Sequence, residues 1–318
     1  MGSPGGHVLV ESMKLRYPVH TPDNRVLLTA GSELSAALMQ EIAFSGAGAP
    51  QRKYPLLQYG TTRDDLAGFL SQPPYRAIFH HPDVVSDVLG LMERVQLVFP
   101  FLETLDYFRV RDFYTYRHML TVFALSTALA RDLLPDYEER IQEMATGPTH
   151  DFGKVCVPLG ILKKETPLTR SERSILSHHS VAGYVLLCYY HGDPTDLAGR
   201  VARDHHERRD GSGYPRGILI DDYLVEIISV CDIFDALVSP RPYRPASYDN
   251  RTALEEITSM AERKVISWDV VKALVARHRR KKGDFRSTVV SVQKRGMPPA
   301  NNYYGVTAED EGPAPSAP

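Results

Sequence analysis

Apolar residues recur at intervals of three and four along most of the chain after about residue 80, which is the spacing of an amphipathic helix. One apolar face consists of Val84, Val85, Val88, Leu89, Met92, Val95 and Leu97. A second helix is predicted from near Phe113 to Leu134, and further helices at 137–146, 171–190, 196–207, 222–238, 250–262 and 268–280. Because strand patterns are almost absent from this region, we expect a helical array.

The first 75 residues carry a mixed pattern. Loose alternation over 7–17 and a turn at 21–24 precede a short predicted strand at 25–28. A helix then begins near Ala36, capped by Ser32 or Ser35. Residues 45–75 are rich in Gly, Pro and polar side chains and are interpreted as a connector. The predicted fold class is therefore mainly α, a helical bundle with a small α+β N-terminal domain.

The length of the chain is compatible with this division. At ~150 residues per domain, 318 residues predict roughly two domains. We expect a small N-terminal domain and its connector over 1–75, to which the sequence assigns no role, and a helical domain over 76–280. A tail over 281–318, first basic and then rich in Pro and Ala, is expected to be flexible.

Charge and cysteine content exclude several classes of protein. The 37 Lys and Arg against 39 Asp and Glu give a net charge of −2, which argues against non-specific binding of nucleic-acid polymers. No apolar run approaches the ~18 residues of a membrane span. Three scattered cysteines are too few for a disulfide framework, and no secretory signal opens the chain, so we expect a cytoplasmic protein.

Histidines and aspartates recur inside the predicted apolar helices. A buried Asp costs free energy unless it is paired or coordinates a metal, and neutral imidazole together with carboxylate suits first-row transition metals. Adjacent helical residues point ~100° apart, so adjacent ligands suit two neighbouring ions better than one. The segments concerned are His150-Asp151, His178-His179, His205-His206-Glu207 and Asp232-Ile233-Phe234-Asp235, with His118 in the predicted helix 113–134.

These segments belong to a longer series of motifs, in the order His150-Asp151-x-Gly153-Lys154, His179, His205-His206-Glu207-x-x-Asp210-Gly211-x-Gly213-Tyr214-Pro215, Asp232-x-x-Asp235-Ala236-Leu237 and Arg241-Pro242-Tyr243-Arg244. Over about residues 105–280 the series resembles the HD-GYP domain, a branch of the HD superfamily of metal-dependent phosphohydrolases. The resemblance implies an HD-type helical bundle that hydrolyses the bacterial messenger cyclic di-GMP to pGpG and often onward to GMP. Some members act on 3′,3′-cyclic GMP-AMP.

The resemblance also implies a binuclear metal site. The implied ligands of one ion are His118, His150, Asp151 and Asp232, and those of the second are Asp151, His179, His205 and His206. Iron or manganese is expected, and zinc and nickel are compatible. His178 competes with His179, but the spacing to Gly183-Tyr184 favours His179. Members with a third metal carry Glu one turn before the first His, where this chain has Tyr114, so two ions are expected rather than three.

Other residues receive roles from the same resemblance. The implied substrate contacts are Lys154, Asp235, Arg241 and Arg244. Lys154 would donate to a non-bridging phosphate oxygen or assist the leaving oxygen, and Asp235 would contact the substrate or orient a metal ligand. The loop Gly213-Tyr214-Pro215 is expected beside the site. Two ions sharing Asp151 would lower the pKa of a bridging water, whose in-line attack releases the 3′ oxygen.

One departure from the family pattern keeps a second function open. Pro148 interrupts the helical run expected before His150, and a bent approach would shift Asp151 unless Pro148 begins a new turn. A catalytically weak receptor for cyclic dinucleotides, or a partner-binding scaffold, is therefore the alternative to the enzyme. Hydrolysis of another nucleotide such as a dNTP is disfavoured by the intact motif at 205–215. GGDEF-type signalling proteins and a second copy of the chain are compatible partners.

Overall fold

The computed structural model describes residues 13–46, 52–134, 147–220, 222–241, 246–279, 285–300 and 307–308. Its α-helices are α1 (Ala36–Gly46), α2 (Thr62–Ser71), α3 (Pro82–Arg94), α4 (Phe99–Arg111), α5 (Phe113–Leu133), α6 (Leu159–Leu162), α7 (Arg170–Ser177), α8 (His179–His191), α9 (Leu197–Asp204), α10 (Tyr223–Val238), α11 (Asn250–Glu262) and α12 (Trp268–His278). Short 3₁₀ helices lie at Leu56–Gln58, Tyr75–Ala77, Gly147–Thr149, Phe152–Cys156 and Phe285–Ser287. The prediction of a mainly α fold is confirmed.

Short strands supply the β character of the N-terminal part. Within the described ranges they are β1 (Met13–Lys14), β2 (Val19–His20), β3 (Val26–Leu28), β4 (Glu33–Leu34), β5 (Lys53–Pro55) and β6 (Gln96–Val98). They form three antiparallel pairs, β1 with β4, β2 with β3 and β5 with β6. In these pairs Met13 faces Leu34, Val19 faces Leu28 and Tyr54 faces Leu97.

Three helices are buried almost all round and form the centre of the molecule. In α8 every side chain from His179 to Tyr190 is buried, and in α10 every side chain from Leu224 to Val238. The third, α5, is buried from His118 to Ala130 and packs against α10, while α8 packs against α9, α1 and β2. A helix without a polar face belongs in the core, so the polar residues of these helices are buried with them.

Helix starts are set by side-chain caps. Asp112 accepts a hydrogen bond from the backbone N–H of Thr115 and begins α5. Thr169 and Glu172 form a capping box at the start of α7. Of the two cap residues predicted for α1, Ser35 takes the role, because its hydroxyl accepts from the backbone N–H of Leu38 at 3.2 Å.

The structure corrects two predicted elements. The helix predicted over 171–190 is interrupted at His178, between α7 and α8, and the His178 ring lies 3.3 Å from the carbonyl oxygen of Pro18. The connector predicted over 45–75 contains α2, whose Leu66 and Leu70 are buried. Both features depend on contacts with distant residues, which a local pattern does not reveal. The helix predicted over 137–146 and the tail over 309–318 lie outside the described residues.

One continuous apolar core includes side chains from both predicted domains. Leu15, Val19 and Leu34 belong to the same buried cluster as Phe123 of α5 and Phe234 of α10. The boundary at residue 75 stays a prediction. No helix in the described part of the chain combines the length and the apolar character needed to cross a membrane.

Candidate metal centre

Five parts of the fold meet at one buried cluster of imidazoles and carboxylates. The side chains come from α5 (His118), the turn between two 3₁₀ helices (His150 and Asp151), the first residue of α8 (His179), the end of α9 (His205 and His206) and α10 (Asp232). Most of these side chains expose no more than 2% of their surface, but Asp232 exposes 11% and His206 17%. The cluster therefore opens to solvent on the side of His206 and Asp232.

The potential ligand atoms fall into two groups that share one carboxylate. Asp151, His179, His205 and His206 offer atoms within 4.8 Å of one another, and so do His118, His150 and Asp151. Asp232 adjoins the second group, since its Oδ1 lies 3.1 Å from Nε2 of His118. Oδ1 of Asp151 lies 3.2 Å from His179, and its Oδ2 lies 3.2 Å from His118. The structure thus brings together all seven residues predicted as ligands; their binding of metal stays a proposal.

A close backbone approach places Asp151 opposite His179. A Cβ atom on Gly153 would lie 1.9 Å from the carbonyl oxygen of His179 and 2.4 Å from the backbone nitrogen of Gly183. Both are rigid backbone atoms, so only glycine fits. Pro148, which the sequence marks as a bend, lies in the 3₁₀ helix Gly147–Thr149 that leads directly into His150.

The imidazole tautomers show that the cluster fits metal ions. Nδ1 of His179 lies 2.6 Å from the carbonyl oxygen of Leu176, and Nδ1 of His205 lies 2.9 Å from that of Ala202. Carbonyl oxygens only accept, so each Nδ1 carries the proton and each Nε2 carries a lone pair. These two Nε2 atoms lie 3.4 Å apart, and His206 Nε2 lies 3.2 Å from that of His179. Lone pairs converging in this way suit a cation that accepts them, and N and O donors suit transition metals.

Burial keeps four of the five histidines neutral. It lowers the pKa of His150 to about 4 and that of His179 to about 3, and it also lowers the pKa of His205 and His206. At His118 burial acts in the same direction, but hydrogen bonds with Asp151, Asp232 and Asp235 outweigh it and raise the pKa to about 10. Without metal, His118 is therefore the cation of the cluster.

The two carboxylates of the cluster remain ionised. Burial alone would raise the pKa of Asp151, but the ammonium of Lys154 and the neighbouring imidazoles hold it well below its ordinary value. Hydrogen bonding to His118 overcomes burial in the same way at Asp232. Lys154 donates to Oδ2 of Asp151 and keeps 12% of its side-chain surface exposed, so it reaches both the cluster and the opening.

Asp235 lies behind His118 and is not exposed. Its carboxylate oxygens contact His118 Nδ1 at 2.7 Å and accept from the hydroxyls of Thr121 at 2.7 Å and Ser239 at 3.2 Å, and from Tyr75. Burial opposes ionisation, yet the hydrogen bond to His118 lowers the pKa of Asp235 to about 2. Of the two roles predicted for Asp235, this environment favours the orientation of a ligand over contact with substrate.

The sequence did not identify two functional contacts. Tyr75, in the part interpreted as a connector, is buried and donates to Asp235. Glu207, known from the sequence only as part of a motif, accepts from the backbone N–H groups of Arg216 at 2.7 Å and Ile218 at 3.1 Å and so holds the loop after α9. Tyrosine and glutamate are common, and neither signals such a partner in advance.

The loop that Glu207 holds lies against the cluster, as predicted for Gly213-Tyr214-Pro215. The Tyr214 ring stacks on His206, with centroids 4.5 Å apart and planes at 22°. A Cβ on Gly213 would lie 2.4 Å from both the carbonyl oxygen of His206 and the Cα of Glu207, so the loop passes too close for a larger residue. The aromatic ring of Tyr214 thus forms one wall of the opening.

Tyr114 and Arg241 lie on another side of the cluster. The Tyr114 ring stacks on His118, with centroids 5.5 Å apart, and the guanidinium carbon of Arg241 lies 4.7 Å from the Tyr114 centroid. On this side His118 therefore adjoins an aromatic ring and not a carboxylate. His178 contacts Pro18 and belongs to neither group of ligand atoms. Arg244 lies outside the described residues.

Comparison with known proteins identifies the region that contains this cluster. A family model described as "HD domain" matches residues 104–266, just over half of the 318 residues. All seven predicted ligands lie within the matched region.

The chain is also similar to curated proteins. It is 35% identical over 187 residues to a cyclic di-GMP phosphodiesterase of Thermotoga maritima, and the aligned region is 58% of this chain and 50% of the relative. It is 42% identical over 115 residues to the cyclic di-GMP phosphodiesterase response regulator RpfG of Xanthomonas campestris, with 36% of this chain and 30% of the relative aligned. It is 38% identical over 136 residues to the 3′3′-cGAMP-specific phosphodiesterase 3 of Vibrio cholerae, with 42% of this chain and 29% of the relative aligned. The chain thus spans at most half the length of these relatives.

Proposed function

The chain belongs to the HD domain family, and on that basis we propose that it is a metal-dependent phosphodiesterase that hydrolyses cyclic di-GMP to pGpG, GMP or both. The observation that carries the proposal is the pair of ligand groups that share Asp151. A shared carboxylate places two ions close together, which is the arrangement of binuclear phosphoesterases. The relatives in Thermotoga and Xanthomonas are named as cyclic di-GMP phosphodiesterases, which supports the choice of substrate.

We infer that the first ion takes His118, His150, Asp151 and Asp232, and the second takes Asp151, His179, His205 and His206. When bound, two divalent ions supply Lewis acidity toward a phosphate and generate a nucleophile from water at neutral pH. Imidazole and carboxylate donors are compatible with iron, manganese, zinc and nickel, and the resemblance to the HD-GYP domain favours iron or manganese. Two ions are proposed rather than three because Tyr114 offers no carboxylate.

The side chains at the opening position the substrate. Lys154 carries a flexible positive charge beside Asp151 and can move onto a non-bridging phosphate oxygen or the leaving 3′ oxygen. Arg241, which lies over the Tyr114 ring, would contact the scissile phosphate or a guanine of the ligand on the side of His118. The Tyr214 ring, stacked on His206, forms a wall of the opening and limits access of solvent to the scissile bond. Arg244 is proposed for the same role as Arg241 from the sequence alone.

The proposal is tested by single-turnover hydrolysis with the full chain loaded anaerobically with Fe²⁺ or Mn²⁺. Cyclic di-GMP and 3′,3′-cyclic GMP-AMP are supplied separately, and products are separated by chromatography. We expect pGpG or GMP to form with cyclic di-GMP, and the Asp151→Asn variant to form none. Faster turnover of 3′,3′-cyclic GMP-AMP would reassign the substrate to that of the Vibrio relative. Tight binding of either nucleotide without product would instead support the receptor alternative.

A further inference from the structure

A groove next to the opening is lined by four cationic side chains. It runs between residues 13–17 on one side and α7 with the start of α8 on the other, and its volume is about 460 Å³. Sites for small molecules occupy ~300–1,000 Å³, so the groove is large enough for part of a nucleotide. Its cationic side chains are Lys14, Arg16, Arg170 and Arg173, and all four are exposed. We call this feature the cationic groove.

Among the described residues, none that lines the cationic groove is acidic. No carboxylate of the described residues lies within ion-pair distance of Lys14, Arg16 or Arg170, and the acidic residue of α7, Glu172, pairs instead with Lys164 at 2.6 Å. The whole sequence has a net charge of −2, so the excess of positive charge in the groove is a local feature. Lys14 and Arg16 on one segment and Arg170 on the facing segment therefore attract an anion, and arginine binds phosphate or stacks on a base.

The cationic groove adjoins the metal centre through Tyr214. Tyr214 and Pro215 are among its lining residues, and the ring of Tyr214 stacks on His206. Ser177, two residues before His179, also lines the groove. A ligand with one phosphate at the cluster would therefore extend past Tyr214 and place its next charged group among the arginines.

We propose that the cationic groove is a subsite for the half of a cyclic dinucleotide that carries the non-scissile phosphate. Arg16 and Arg170 would bind this phosphate or stack on its guanine, and the aromatic ring of Tyr214 would separate it from the scissile half. This inference rests on the proposed function and adds to it a role for the N-terminal part: residues 13–17 complete the substrate site. It also explains how a chain of near-neutral total charge holds a ligand with two phosphates.

The test uses steady-state hydrolysis of cyclic di-GMP by the metal-loaded full chain and its Arg16→Ala/Arg170→Ala variant. A charged hydrogen bond contributes about 1.5–3 kcal/mol, so loss of even one raises KM at least about tenfold. We expect that rise with kcat changed by less than about twofold. The matched control is Arg76→Ala, which removes an exposed arginine outside the groove. The loss should be larger for cyclic di-GMP than for the small diester bis(p-nitrophenyl) phosphate, which cannot reach past Tyr214.

The outcomes separate this proposal from the proposed function. If the wild type hydrolyses cyclic di-GMP and the double variant keeps its KM within about twofold, the subsite is overturned and the phosphodiesterase stands. A fall in kcat with unchanged KM, or equal losses on both substrates, also overturns it, since a distorted structure would act in this way. If the metal-loaded wild type neither binds nor hydrolyses cyclic di-GMP, both proposals fail together.

Discussion

The carboxylate of Asp235 receives hydrogen bonds from four side chains and is shielded from solvent, and one of those side chains is His118. Replacement of Asp235 by Asn removes the charged acceptor that fixes the His118 ring. Loss of a residue that orients a metal ligand weakens metal binding ~10–100-fold, so we expect this decrease in Asp235→Asn. Competition with a chelator at equilibrium measures it.

Ser239→Ala is the control, because it removes the longest of the four hydrogen bonds and leaves the contact between Asp235 and His118 in place. We expect its metal affinity to stay within about threefold of wild type. Equal affinities in Asp235→Asn and Ser239→Ala, with both proteins folded, would contradict the orienting role of Asp235.

His118 predicts how metal binding depends on pH. Its pKa is raised to about 10 in the metal-free protein, so it is protonated at neutral pH and must lose that proton to bind a metal. The pKa values of His150 and His179 are lowered to about 4 and 3, so both are already neutral there. We expect release of about one proton and an affinity that rises about tenfold per pH unit between pH 6 and 9. Calorimetry in buffers of different ionisation enthalpy counts the protons; release of none would contradict the assignment.

The residues that form the cluster could be predicted from the sequence, but the residues that hold them in position could not. The ligands appear as histidines and aspartates within apolar helices, where a polar residue needs a reason. Tyr75 carries no such signal, because it meets Asp235 only through a contact across 160 residues. Glu207 is visible as part of a motif, yet its backbone partners depend on the path of a loop.

At the scale of elements, the contact between the 3₁₀ helix Phe152–Cys156 and α8 sets the separation of two ligands. Gly153→Ala places a methyl group 1.9 Å from the His179 carbonyl oxygen, so this 3₁₀ helix must move away from α8. Overpacking of this kind costs about 1–3 kcal/mol of stability, and misplacement by ~1 Å costs about a hundredfold in rate. We expect both losses, measured by denaturant unfolding and by hydrolysis of cyclic di-GMP.

Gly160→Ala is the matched control, since a methyl group there meets no atom within 4 Å. Gly160 lies in α6, where alanine favours the helix by up to about 1 kcal/mol. We therefore expect unchanged or slightly higher stability and wild-type hydrolysis. If Gly153→Ala behaved like Gly160→Ala, the close approach to α8 would not control the site.

Elements with a strong apolar period were predicted well. The helix predicted over 250–262 agrees with α11 at both ends, and that predicted from 113 to 134 agrees with α5 to within one residue. The helix α2 was not predicted because few of its side chains are buried and the surrounding sequence is rich in Gly and Pro. The break at His178 escaped prediction because it coincides with a contact between the His178 ring and the distant Pro18 carbonyl oxygen, which the local pattern does not show.

At the scale of the whole molecule, the shared core predicts one unfolding transition. Side chains of the N-terminal strands pack in the same cluster as α5 and α10, and Tyr75 bonds to Asp235. Neither part can lose its structure without exposing apolar surface of the other. Fluorescence of Trp268, the one tryptophan of the sequence, reports on α12, and hydrogen exchange of α1 amides reports on the N-terminal part. We expect equal midpoints; earlier loss of α1 would indicate separate domains divided near residue 75.

The bond between Tyr75 and Asp235 also has a consequence for synthesis of the chain. The ribosome makes Tyr75 well before α10, which supplies both Asp235 and the carboxylate of Asp232. The earlier segments can fold in part as they emerge, but neither the acceptor for the buried phenol nor the last carboxylate of the cluster exists yet. Completion of the core and of the metal centre is therefore a late event of translation, and a nascent chain arrested before α10 contains neither.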